Sequence, residues 1–351
     1  MLYSTDDLRI SGMQEVLPPA ELHQELPITN HASETVFNAR NLTQKIVHGD
    51  DDRLVVIVGP CSIHDPDAAR DYASRLKPLI TELKDDLHII MRVYFEKPRS
   101  VIGWKGLIND PYLDGSFKIN EGLHFARKLL LDLAEMGVPA GSEYLDLISP
   151  QYIADLISWG AIGARTTESQ AHRELASGLS CPIGFKNATD GGLQIAVDAC
   201  MSASKPHHFM SLTKAGHSAI FSTTGNPDCH VILRGGKTPN YDAASIQKTA
   251  ETIGRTGQKP LFMVDCSHAN SGKSHIQQET VCRDVAAQIA NGEKRIMGMM
   301  LESNLVAGRQ SCEEGKELIY GQSITDACMA WENSEVLLKE LAAAVRQRRS
   351  L

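Results

Sequence analysis

No apolar run in the chain approaches the roughly 20 residues that a membrane-spanning helix needs, so no membrane segment is expected. The opening stretch Met1-Leu2-Tyr3-Ser4-Thr5-Asp6-Asp7 has neither the basic nor the apolar region of a secretory signal, which predicts a cytoplasmic protein. There is no excess of positive charge. Lysine and arginine number 35 against 43 aspartates and glutamates, a formal net charge of -8, which argues against broad nucleic-acid binding but leaves local basic pockets open. No two of the eight cysteines are spaced C-x-x-C; they stand at 61, 181, 200, 229, 266, 282, 312 and 328. In a reducing compartment they are expected as free thiols, mostly buried as small hydrophobes, with one or two left for chemistry. Low-complexity tracts and short internal repeats are also absent.

What is there is ordinary globular material: 351 residues, 42% hydrophobic, enough for one large α/β barrel or two smaller domains. Short β-branched runs alternate with helical stretches from about residue 53 onward. The strand candidates are Leu54–Val58, Leu87–Val93, Pro139–Glu143, Ala161–Arg165, Pro182–Lys186, His230–Arg234, Leu261–Asp265 and Ile296–Glu302. Between them, Asn120 to Met136 stacks Leu123, Leu130 and Leu133 on one face and stops at Gly137. Ser149-Pro150 reads as the start of a helix carrying Tyr152, Ile153, Leu156 and Ile157 and closed by Gly160. A last helical pattern runs from about Trp331 to Arg348. Eight such units with continuous apolar strands predict an α/β fold of the (β/α)8 TIM-barrel type.

Two segments fall outside that count. Residues 1–50 form a polar extension with an amphipathic stretch around Ala39–Val47, expected to serve regulation and subunit contacts. Residues 208–223 hold two strand-like runs, His208–Leu212 and Ser218–Thr223, joined by a Lys-Ala-Gly-His turn. They read as a β-hairpin inserted before the sixth strand of a catalytic barrel spanning 51–351.

Barrel chemistry gathers where the C-terminal strand ends converge. Those ends and the loops beyond them carry Cys61, Arg92, Lys97, Glu143, Arg165, Lys186, Arg234, His268, Glu302 and Asp326. Three guanidiniums and two ammoniums aimed at one cavity repel strongly unless anions lie between them, and arginine's planar fork suits phosphate and carboxylate. A thiol, an imidazole and two carboxylates (Cys61, His268, Glu302 and Asp326) make a donor set of mixed softness, suited to Mn, Fe(II), Co or Zn. Each residue singly has a plainer reading: a buried structural cysteine, a satisfied histidine, carboxylates capping helices, basic groups in surface ion pairs. Their shared position at one end of the barrel is what favours a site.

The strings around these residues are specific. Gly59-Pro60-Cys61-Ser62-Ile63-His64-Asp65, Met91-Arg92-Val93-Tyr94-Phe95-Glu96-Lys97-Pro98-Arg99, Gly103-Trp104-Lys105-Gly106, Gly163-Ala164-Arg165-Thr166-Thr167-Glu168-Ser169 and Leu233-Arg234-Gly235-Gly236-Lys237 closely resemble class I 3-deoxy-D-arabino-heptulosonate 7-phosphate (DAHP) synthase. The resemblance spans nearly the whole chain, including the extension and the hairpin. It implies condensation of phosphoenolpyruvate with D-erythrose 4-phosphate, the first step of aromatic amino-acid biosynthesis. One divalent metal ion per subunit would be held by Cys61, His268, Glu302 and Asp326. Arg92, Glu143, Ala164, Arg165, Lys186 and Arg234 would surround phosphoenolpyruvate, and Lys97, Pro98, Arg99 and Ser100 would receive the aldose phosphate. Catalysis would fall to Lys97 with Cys61, His268 and Asp326.

The resemblance also implies a homo-oligomer (a dimer or tetramer) inhibited by an aromatic amino acid. The phenylalanine-sensitive type is the nearest. Its effector site would comprise Pro150, Gln151, Leu175, Leu179, Ser180, Phe209, Ser211 and Phe221, with Asp6 and Asp7 approaching from a neighbouring subunit. Four positions depart from the family pattern: Ser100 for Thr, Ala188 for Gly, Tyr144 for Phe, and Phe221 for a smaller aliphatic residue. Alanine at 188 would be strained if that position needs positive φ. Three other activities compete: a different phosphoenolpyruvate–sugar phosphate condensation, a Schiff-base aldolase using Lys186, and a catalytically silent amino-acid sensor.

Overall fold

The computed structural model describes residues 3–99, 101–312 and 316–351, so Ser100 lies outside the described residues. The barrel strands are β1 (Leu54–Gly59), β2 (Leu87–Arg92), β3 (Ala140–Glu143), β4 (Ile157–Ile162), β5 (Ile183–Lys186), β8 (Cys229–Leu233), β9 (Phe262–Asp265) and β10 (Ile296–Glu302), with a hairpin of β6 (His208–Leu212) and β7 (Ser218–Ser222) between β5 and β8. They close in the order β1-β10-β9-β8-β5-β4-β3-β2, all pairs parallel, the expected (β/α)8 TIM barrel. Alternation explains why the strands read as continuous apolar runs. Val55 and Ile57 of β1 point into the barrel with Ile90, Trp159, Ile232 and Met300, while Leu54, Val56 and Val58 face the surrounding helices.

The amphipathic part of the extension is helix α2 (Asn30–Val47), capped by the Thr29 side chain on the Ala32 amide. Its Ile46 and Val47 pack into the barrel's inner apolar cluster. Arg40 donates to the carbonyls of Ala154 and Ile157, and His88 of β2 meets Thr43. The helix therefore closes the barrel floor, a structural task beyond the regulatory one expected of residues 1–50. The stretch before it remains an exposed arm, with Tyr3, Leu8, Ile10 and Met13 open to solvent.

The segment around β4 departs from expectation. The helix beginning at Pro150 is a single turn, α5 (Pro150–Ile153), followed by a 3-10 turn, and β4 starts at Ile157 rather than Ala161. Gly160 lies inside β4, where a Cβ would come 2.5 Å from Ile183 and 2.7 Å from the Tyr144 ring, so glycine here makes room for packing and ends no helix. The Ser149 hydroxyl donates to Glu96 Oε2 at 3.2 Å instead of capping α5. Helix α4 (Ile119–Glu135) and the terminal helix α10 (Trp331–Arg349) fall where the periodicity places them. A small parallel pair, β11 (Val306–Arg309) with β12 (Gln322–Ser323), was not foreseen; it folds the long loop after β10 back on itself.

Candidate active site

The first loop is built on a close backbone approach. Gly59 has φ +152°, and a Cβ there would sit 2.8 Å from the Arg92 carbonyl oxygen, so only glycine lets β1 turn into Pro60-Cys61 beside β2. Cys61 is wholly buried, and its amide donates to Cys328 Sγ at 3.3 Å. The next residue, Ser62, shares a 2.7 Å hydroxyl hydrogen bond with Thr325, which pins the loop carrying Asp326 onto the first loop. Neither Glu302 nor Asp326 caps a helix: Glu302 ends β10, and the N-cap of α10 is Ala330.

One cavity opens at the C-terminal strand ends. Its walls carry the cations Lys97, Arg99, Arg165, Lys186, Arg234 and Lys273 against the carboxylates Glu143 and Asp326, with Pro98, Ala164 and His268 between them. Six cations facing two carboxylates leave a surplus of positive charge that multiply charged anions would neutralise. The Lys97 loop is fixed by its amide on the Lys105 carbonyl (2.8 Å) and by Glu96, which accepts from Ser149. Gly106 lies so close to this loop that a Cβ would meet the Phe95 carbonyl oxygen at 1.9 Å.

Arg92 is placed differently from the other cations. Fully buried, it lies beneath the cavity and donates to the carbonyls of Pro60 (3.0 Å) and Cys61 (3.2 Å). It covers the Tyr94 ring at 3.6 Å and stands 3.0 Å from Glu302 Oε1. Expected among the phosphoenolpyruvate contacts, it does not line the cavity wall but stands behind it, fastening the first loop beside Glu302. Ala188 is not among the residues with positive φ; the left-handed position of that loop falls on Gly191 at φ +101°, so alanine at 188 is unstrained.

The donor set fits a metal ion. Ligand atoms of Cys61, Glu302 and Asp326 lie within 4.8 Å of one another, close enough to share one ion with bonds of roughly 2.0–2.3 Å. Glu302 Oε1 is buried and accepts no hydrogen bond: Arg92 is near it, but without hydrogen-bonding alignment. An orphaned buried carboxylate oxygen is costly unless something else is to bind it. His268 stands beside this group, with Nε2 3.8 Å from Glu302 Oε1 and Nδ1 2.8 Å from Asp265. Its φ of +56°, unusual outside glycine, stores backbone strain at the point where the imidazole turns toward the cluster. Burial pushes the Cys61 thiol up, and the Glu302 charge adds to this against Lys97 and Arg92. Burial would also raise Asp326, but Lys97 and then Lys273 outweigh it and hold that carboxyl below its ordinary range. Lys97 Nζ lies 3.2 Å from Cys61 Sγ, joining the cation-rich wall to the thiol.

Residues that sequence reasoning passed over include Thr166, Thr189, Lys273 and Thr325 on the cavity wall. Lys273 carried a usable signal, a lysine in the same loop as His268; the threonines carried none. The expected effector residues come together only in part. Lys214 in the hairpin turn donates to the Gln151 carbonyl of α5, and Thr223 after β7 pairs with Ser177 of helix α6 (Gln170–Gly178) at 2.7 Å. These ties set Gln151, next to Pro150 in α5, and Ser177 of α6 against the hairpin; Leu175 lies in α6, and Leu179 and Ser180 follow it. Its inner face carries Phe209, Ser211 and Phe221, the two rings 6.1 Å apart between centroids. Asp6 and Asp7 stand in the exposed arm. No helix among the described residues is long and apolar enough to cross a membrane.

Comparison with known proteins agrees with this arrangement. Residues 25–339 match the family model described as the DAHP synthetase I family. The Phe-sensitive phospho-2-dehydro-3-deoxyheptonate aldolase of Escherichia coli K12 is 59% identical over 99% of this chain and 100% of its own length. The corresponding aldolase of Haemophilus influenzae is 58% identical over 99% of this chain and 97% of its own length. A solved phospho-2-dehydro-3-deoxyheptonate aldolase from Francisella tularensis superposes with a TM-score of 0.95 at 52% identity, covering 97% of this chain and 99% of that one. With a matched model across most of its length, relatives of this identity and a shared barrel, the chain belongs to the DAHP synthetase I family.

Proposed function

We propose that the protein is a metal-dependent enzyme that condenses phosphoenolpyruvate, D-erythrose 4-phosphate and water into DAHP and phosphate. The observation that carries this reading is the Cys61, Glu302 and Asp326 donor cluster, which reaches the cation-rich cavity through Asp326. Arg92, Arg165, Lys186 and Arg234 receive the phosphate and carboxylate of phosphoenolpyruvate, with Ala164 and Glu143 beside them. Pro98, Arg99 and Ser100 receive the aldose phosphate. Lys97 hydrogen-bonds or protonates the alkoxide that develops as the enol carbon attacks the aldehyde. Water then adds at C2, and the C2–O bond to phosphate breaks. A divalent ion bound by Cys61, His268, Glu302 and Asp326 supplies a Lewis acid and an orienting template for the aldehyde. The mixed donor set admits Mn, Fe(II), Co or Zn. Arg92 also acts from below, holding the Cys61 carbonyl and Glu302 in place.

Catalysis is subject to feedback by an aromatic amino acid, phenylalanine, bound between the hairpin, α5 and α6. The 59% identity to the Phe-sensitive aldolase of Escherichia coli K12 supports that choice. The exposed arm, apolar at Tyr3, Leu8, Ile10 and Met13, supports a homo-oligomer, a dimer or tetramer, in which Asp6 and Asp7 reach a neighbour's effector site. Residues 1–50 then serve both the barrel floor and assembly, and 51–351 form the catalytic barrel. The place of action is the cytoplasm. Turnover on erythrose 4-phosphate against arabinose 5-phosphate tests the substrate. Preference for the four-carbon aldose is expected, and preference for the five-carbon one would reassign the enzyme to the related condensation.

A further inference from the structure

Asp265, at the C-terminal end of β9, is fully buried and does not line the cavity, so it touches no substrate. One of its oxygens, Oδ2, accepts from Lys186 Nζ at 2.9 Å and lies 2.8 Å from His268 Nδ1. The other, Oδ1, accepts from the Ser267 amide at 2.9 Å and the Ser267 hydroxyl at 2.5 Å. We infer that Asp265 is a positioning residue that sets the metal site and the phosphoenolpyruvate site together, orienting His268 with one face of its carboxylate and anchoring Lys186 with the same oxygen. The carboxylate keeps the Nδ1 proton of His268 in place. That leaves the Nε2 lone pair, 3.8 Å from Glu302 Oε1, facing the cluster. Lys186, nearly buried, has this carboxylate as its ion-pair partner, so Asp265 fixes where the ammonium meets an incoming anion. The lysine ends β5 and the histidine lies in the loop after β9, and a single side chain ties that strand end to that loop.

This inference rests on the metal and substrate assignment above, and its test separates the two. Chelator-stripped wild type and Asp265→Asn are titrated with cobalt(II) alone against a chromophoric chelator, and KM is then measured for each substrate. The substitution is expected to weaken cobalt binding by about tenfold or more, as loss of a ligand's supporting partner does. It should also raise KM for phosphoenolpyruvate several-fold and leave KM for erythrose 4-phosphate unchanged, a split that general loosening of the barrel would not produce. Asp265→Glu should recover part of both losses. Wild-type values for cobalt and phosphoenolpyruvate in Asp265→Asn would overturn the proposal, whereas failure of wild type to bind cobalt would instead sink the metal assignment. Should Asp265→Asn not fold, Ser267→Ala decides. The Ser267 hydroxyl also lies 2.7 Å from His268 Nδ1, so it is the rival orienting group. Cobalt affinity within about threefold of wild type is expected if Asp265 orients the ring; a loss of tenfold or more would hand that role to Ser267 and refute the claim.

Discussion

Glu302 holds two roles in this account, counter-charge to Arg92 and ligand to the metal, and Glu302→Gln separates them. Arg92 is fully buried and Glu302 2% exposed, with the two 3.0 Å apart. Removing one partner of such a buried pair typically costs roughly 3–5 kcal/mol, because the other charge is left uncompensated. Here Arg92 keeps the Pro60 and Cys61 carbonyls and the Tyr94 ring, and glutamine preserves an acceptor, so the cost falls at the lower end, about 3 kcal/mol in stripped protein. A metal that binds only the folded state adds about 2.7 kcal/mol to wild type at a hundredfold excess over Kd. The variant should gain almost none of this. The gap between the proteins should therefore widen from about 3 to nearly 6 kcal/mol on metal addition. Urea unfolding followed by circular dichroism, with stripped and cobalt-loaded samples side by side, reads it directly. An equal metal-induced shift of the midpoint in both proteins would refute the claim that Glu302 is a ligand.

Three further outcomes are expected. Arg165→Ala leaves a bound anion short of a charged partner and should cost about 2–5 kcal/mol in kcat/KM through phosphoenolpyruvate; steady-state kinetics showing a change only in the aldose-phosphate KM would remove Arg165 from that pocket. Ser180→Phe should fill the effector site, so titrating phenylalanine, tyrosine and tryptophan should show phenylalanine inhibiting wild type and not the variant; equal inhibition of both would misplace the site. Burial, and next the Asp146 charge, push Glu96 up to about 7 from its ordinary 4.5. Because the folded value is the higher one, the stability it contributes is complete below pH 4.5 and lost as pH climbs through 7. Glu96→Gln should flatten that decline in urea midpoints between pH 5 and 8, and an undiminished decline would place its origin elsewhere.

The barrel was legible because its strands are buried on both faces: Leu54 to Val58 has no polar break, and the structure shows why, with alternate residues facing the lumen and the helices. The start of β4 was not. Tyr152, Ile153, Leu156 and Ile157 fit a helical period, yet only one α-turn and a 3-10 turn form before the chain enters the sheet, and Gly160 serves packing against Tyr144. Site residues at strand ends could be read off the chain, since barrel geometry forces them to one mouth. Their orientation could not. Arg92 sits at a strand end like Lys186, but its guanidinium turns under the first loop, a choice made by the Pro60 and Cys61 carbonyls and Glu302 across the barrel. Asp265 escaped notice because, as the last residue of the Leu261–Asp265 run, it carries no mark of its partners Lys186 and His268, which lie in other segments or beyond the strand end. The pairing of Phe209 with Phe221 follows from hairpin register, which the Lys-Ala-Gly-His turn fixes.

Metal-dependent condensation in this cavity is open to direct measurement. Purified protein, stripped with chelator and then resupplied with manganese, iron(II), cobalt or zinc one at a time, is incubated with phosphoenolpyruvate and erythrose 4-phosphate while DAHP and phosphate are followed together. The account predicts negligible turnover in the stripped protein, recovery with at least one of the four ions, and one phosphate released for each DAHP formed. Full turnover in metal-free protein, or no DAHP with any ion, would contradict it.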